Sequence, residues 1–103
     1  MKLTKERNGP LLILRPEGEI DHHCAAALTQ ELTETIDEET APQVRLDMGG
    51  VPFMDSAGLM VVVAACRRAQ GLDGAFEAAN VMPQPRKVLQ AAGLDRKIPF
   101  VEG

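Results

Sequence analysis

The chain has 103 residues, 45% of them apolar and 25% charged, with a formal net charge of -4. One domain with a single core fits that length, and the composition excludes a disordered segment. The acidic balance argues against a nucleic-acid partner, whose binders carry a basic face.

"MKLTKERNGP" passes from charges into a turn without an apolar stretch, so no signal peptide is expected. Lys2–Arg7 reads as an edge strand, Asn8-Gly9 as a hairpin turn and "LLILRP" as a buried strand ended by Pro16 and Gly18. From Asp21 the period changes: Ala25, Leu28, Leu32 and Ile36 recur at helical spacing, and acidic residues followed by Pro42 close the helix. "QVRLDM" alternates, with Val44, Leu46 and Met48 on one face of a third strand.

After Gly49-Gly50 and "VPF", a second helix is expected from about Asp55 to Gln70. It is apolar nearly all round, which predicts burial or a partner. Its most apolar run, "AGLMVVVAAC", is about half of a membrane span, so no membrane association is expected. "AFEAAN" reads as a fourth strand. Pro83 and Pro85 open a third helix, "RKVLQAA", that Gly93 stops, and "IPFV" forms a short strand or a tail. The order is β-β-α-β-α-β-α: a small α/β domain with a mixed sheet of four to five strands. In such a sheet the loops at the carboxyl ends of the parallel strands share one edge. That brings Asp21, Ser56 and Asn80 together.

Two clusters stand in those loops. "DHHC", Asp21 to Cys24, suggests a metal site, and its four letters match the signature of membrane acyltransferases. No membrane bundle exists here to support the latter. In a helical turn His22 and His23 would point about 100° apart, so they do not readily share one metal. Cys24 and Cys66 stand far apart, outside any Cys-x-x-Cys pair, which predicts reduced thiols and a cytoplasmic protein. The simpler reading is that Asp21 caps the helix, with the histidines polar or partner-facing. No cofactor or metal is implied.

"FMDSAGL", Phe53 to Leu59, is the second cluster. Asp55 and Ser56 both suit a helix N-terminus, and Gly58 lets a neighbour approach closely. A serine-hydrolase elbow would want glycine two residues before the serine, where Met54 stands, and a triad would need His22 or His23. That reading ranks third, below two binding functions.

"GEIDHHCAAAL" followed by "FMDSAGL" at this spacing resembles the anti-sigma factor antagonists of the STAS fold, the sporulation members in particular. "PQPRKVLQAAGLDRKI" is similar to the family's third helix and following loop. The resemblance implies a single STAS domain over residues 1–103 and no enzymatic activity. It implies that Ser56 is phosphorylated by an anti-sigma serine kinase holding its nucleotide. The unphosphorylated protein would bind that kinase and free the sigma factor, and a PP2C-type phosphatase would reset the switch.

The partner-binding residues so implied are Glu19, Asp21, His22, His23, Met54, Asp55, Ser56, Gly58 and Met60. Ala57 stands where sporulation members carry a second serine, leaving Ser56 the one acceptor in this loop. The alternative is a STAS docking module in which Ser56 only caps a helix. The polar edge strand predicts a monomer when the protein is free.

Overall fold

The computed structural model describes residues 1–103. Its elements are β1 (Lys2–Asn8), β2 (Leu11–Glu17), α1 (Ala25–Glu39), β3 (Gln43–Asp47), α2 (Ser56–Gly71), β4 (Ala75–Ala79), α3 (Pro83–Ala91), a 3-10 turn (Leu94–Arg96) and β5 (Phe100–Val101). The expected β-β-α-β-α-β-α order is present, and "IPFV" contributes the fifth strand. The five strands lie in sequence order, with β1 antiparallel to β2 and every later neighbour parallel.

Because each crossover advances by one strand in the same direction, the helices collect on one face of the sheet. Alternation then decides which side chains they cover. Leu12, Leu14, Val44, Leu46, Phe76 and Ala78 point inward and join Leu28, Leu32 and Ile36 of α1 and Val61, Val62 and Ala65 of α2 in one core. The opposite face is open and polar. Arg15 pairs with Glu6 and Asp47 across three strands, and Arg45 pairs with Glu77. Ile13, flanked there by Glu6 and Arg45, is nevertheless only 5% exposed. Long polar side chains cover it with their aliphatic stems.

Helix boundaries differ from the sequence reading in two places. Asp21 does accept capping bonds, from His23 and Cys24 N–H at 2.9 and 3.2 Å, but residues 22–24 form a turn and regular helix begins at Ala25. At the other end α1 stops on Thr40, held left-handed at φ 45° while its N–H bonds the Ile36 carbonyl. The helix therefore closes two residues before Pro42.

Asp47 closes β3 by accepting from the Gly49 N–H, the Asn80 amide and Arg15. Burial works to raise its carboxyl, but those three donors outweigh it and hold it below the ordinary value of 3.8. A carboxyl depressed in the folded state contributes stability above its unfolded pKa and loses it as pH falls through the folded one. Urea midpoints should therefore decline on acidification from neutral pH to about 2, and Asp47→Asn should flatten part of that decline. An unchanged acid slope in the variant would show that Asp47 contributes nothing there.

Both chain ends reach the edge that carries the carboxyl ends of the parallel strands. Lys2 pairs with Glu17 at the exit of β2, and the Gly103 N–H donates to the Asn80 side chain at 3.1 Å.

Candidate functional site

Two of the loops expected at that edge are joined by backbone. Ile20 and Met54 form an isolated parallel bridge, with Ile20 N–H donating to the Phe53 carbonyl and Asp55 N–H to the Ile20 carbonyl, both at 3.1 Å. This is one further step of β-pairing beyond the sheet, and it sets which side chains face out. Ile20 and Met54 turn inward and are 1% and 0% exposed. Phe53, one residue away, turns out and is 42% exposed.

Asp55 then starts α2. Its Oδ1 accepts from Ala57 and Gly58 N–H at 2.8 and 3.3 Å, satisfying donors that a helix start otherwise leaves bare, a contribution of ~1 kcal/mol. Its Oδ2 accepts from the His22 N–H at 3.2 Å, so one carboxylate fastens the helix and the preceding turn together. Asp55 is the cap, which leaves Ser56 as the first helical residue. Ser56 is exposed, and its hydroxyl takes no part in the hydrogen bonds of the junction.

The histidine pair sits beside this junction. Because residues 22–24 form a turn, the rings do not diverge as helical geometry would require: they touch, with centroids 4.0 Å apart. His22 Nδ1 lies 3.7 Å from Asp55 Oδ2. No group of three or more His, Cys, Asp or Glu side chains is arranged to hold a metal ion. Asp21 experiences a desolvation penalty, but the N–H groups of Cys24 and His23 outweigh it, holding the carboxyl below its usual range. A carboxylate charge is thus fixed in this turn.

Of the expected partner-facing residues, Glu19, His22, His23, Ser56 and Met60 are exposed, Met60 at 61%, and Asp21 and Asp55 are half-buried. Met54 and Gly58 are corrections. Met54 belongs to the core. Gly58 is buried as well, and the close neighbour its missing Cβ permits is internal. A Cβ there would lie 2.8 Å from Met54 Cβ, 3.2 Å from its Sδ and 3.3 Å from Ile20 Cγ2. These two residues pack behind the serine and present no exposed side chain at this edge.

Asn80 also departs from expectation: it binds Asp47 and Gly103 instead of joining the serine loop. The third loop reaches the site through Gln84, a residue the sequence does not single out. Its Oε1 accepts from Met54 N–H at 2.9 Å and its Nε2 donates to the Met54 carbonyl at 3.0 Å. A side-chain amide here stands in for a neighbouring strand and ties α3 to the loop before Ser56. Met82, at the start of α3, is 39% exposed. With Phe53 and Met60 it supplies apolar area at this edge. Only the period-two step from Phe53 to Met54 hinted at Phe53, and nothing marked Met82.

A model of the STAS domain matches residues 2–102. An anti-sigma F factor antagonist of Lysinibacillus sphaericus is 30% identical over 83 residues, covering 81% of this chain and 71% of that one. A protein of the same name from Paenibacillus polymyxa is 26% identical over 102 residues, covering 99% and 87%. Among solved structures, the anti-sigma factor antagonist SpoIIAA in its unphosphorylated form superposes with a TM-score of 0.82 at 23% identity, over 99% of this chain and 88% of that one. The Bacillus cell fate determinant SpoIIAA in its phosphorylated form gives 0.75 at 23% identity, over 99% and 91%. Those two likenesses establish the fold.

Proposed function

The chain belongs to the STAS domain family, among its anti-sigma factor antagonists, and on that premise we propose that Ser56 is a phosphorylation switch on a docking edge. Unphosphorylated, the protein binds an anti-sigma serine kinase with its nucleotide and releases the sigma factor. Phosphorylated, it lets go, and a PP2C-type phosphatase restores it. It acts in the cytoplasm as a binding protein without catalysis of its own, and the paired motifs favour a sporulation-type sigma factor.

The observation that carries this reading is the state of Ser56: exposed, unengaged and first in a helix whose cap is another residue. The cap being Asp55, a purely capping role for Ser56 loses its basis, which disfavours the docking module without a switch. A phosphate there meets the positive end of α2, so the fold tolerates it. To a partner the same phosphate adds about -1.5 to -2 charges beside Asp21 and Asp55, and apolar contacts with Phe53, Met60 and Met82 become difficult to complete. The switch acts by charge and bulk at an interface, without refolding.

Intact-mass spectrometry after incubation with the cognate kinase and ATP tests this directly. One phosphate is expected on the wild type and none on Ser56→Ala. Absence of phosphate on the wild type, with stable kinase binding retained, would reduce the protein to a docking module.

A further inference from the structure

Away from the docking edge, one stripe of α2 lacks a cover. Val63, Cys66, Arg67 and Gln70 recur at the i, i+3, i+4, i+7 spacing of a single helix face. Across from them stand Leu94, Lys97 and Ile98, and the two sides enclose a cleft of about 370 Å³. That is within the size range of small-molecule sites.

The walls divide by chemistry. Ile98 and Cys66 are 2% and 9% exposed, and Val63 and Leu94 are half-buried, which makes an apolar floor. Burial raises the Cys66 thiol, against the opposing charge of Arg67, so at neutral pH it stays protonated and belongs to that floor. Arg67 and Lys97 are exposed and have no carboxylate within salt-bridge distance, and no acidic residue lines the cleft.

Six of the eleven Lys and Arg residues are in ion pairs, Arg68 with Asp37 among them. The five unpaired ones, Arg67, Arg86, Lys87, Arg96 and Lys97, all lie from the second half of α2 onward. Two of those five, Arg67 and Lys97, stand on opposite walls of the apolar cleft.

We propose that this cleft binds a small amphiphilic carboxylate, with its tail on Val63, Cys66, Leu94 and Ile98 and its head between Arg67 and Lys97. Apolar walls with a few placed polar groups are the usual composition of such sites, and a guanidinium matches a carboxylate fork to fork. The proposal is independent of the switch at Ser56.

Octanoate is the probe, titrated into the 15N-labelled full chain and followed by amide chemical shifts, with octanol and acetate as tail-only and head-only controls. Octanoate should bind with a Kd of about 1 mM or tighter, shifting amides in 63–70 and 94–98, and both controls should bind at least about tenfold more weakly. Arg67→Gln with Lys97→Gln should raise the octanoate Kd about tenfold at unchanged melting temperature, since both side chains are exposed. Shifts confined to other residues would overturn the proposal. So would octanol binding as tightly as octanoate, or an affinity within about twofold of wild type in the double variant.

Discussion

Ser56→Asp should fold as the wild type does and lose binding to the anti-sigma kinase proposed as its partner. Ser56 is exposed and outside the hydrogen bonds of the junction, so the substitution removes no internal contact. A carboxylate in the first turn of α2 is favoured by the helix dipole by up to ~1 kcal/mol, so melting temperature should hold or rise slightly. Binding goes the other way. A third carboxylate beside Asp21 and Asp55, set against a surface fitted to a neutral hydroxyl, costs about 2–4 kcal/mol, or roughly 30- to 1000-fold in Kd. Titration calorimetry with the kinase would read this, with Ser56→Ala remaining within about threefold of wild type because alanine adds no charge. Tight binding by Ser56→Asp would remove the electrostatic basis of the switch.

Gly58→Ala should destabilise the fold even though alanine is the better helix former. Two terms oppose each other. Replacing glycine inside a helix gains about 1 kcal/mol. The new Cβ would meet Met54 Cβ at 2.8 Å, closer than carbon atoms approach one another. Met54 cannot give way easily, because its backbone is held by Gln84 on one side and faces Ile20 on the other. Overpacking of this kind costs about 1–3 kcal/mol, so the clash wins. We expect a net loss of about 1 kcal/mol for Gly58→Ala and about 3 for Gly58→Val, read from urea midpoints. Gly58→Ala as stable as wild type would mean that the Ser56 loop shifts at little cost.

These two substitutions also show where the chain is legible from its residues alone. The element order follows from local signals: alternation in "QVRLDM", the apolar spacing of α1, and Gly and Pro at the joints. The edge that gathers Asp21 and Ser56 follows from that order. What escapes is decided by tertiary pairing. The Ile20–Met54 bridge is one residue pair long, too short for any periodicity, yet it sends Met54 inward and Phe53 outward. Gln84 between two prolines carries no pattern that foretells a backbone clamp on Met54. A capping aspartate ahead of the histidines predicts a helical turn for them, and three residues of irregular turn bring their rings together instead.

The positions of the two chain ends bear on how this protein can be handled. Because β1 runs antiparallel and β5 runs parallel to β4, residues 1 and 103 both emerge on the edge that carries Ser56. An affinity tag or fluorescent fusion attached to residue 1 or 103 starts beside the edge proposed above for docking. Handles belong instead at the opposite pole, where the Gly9-Pro10 hairpin joins β1 to β2 on exposed residues. An assay anchored there leaves the proposed docking edge clear.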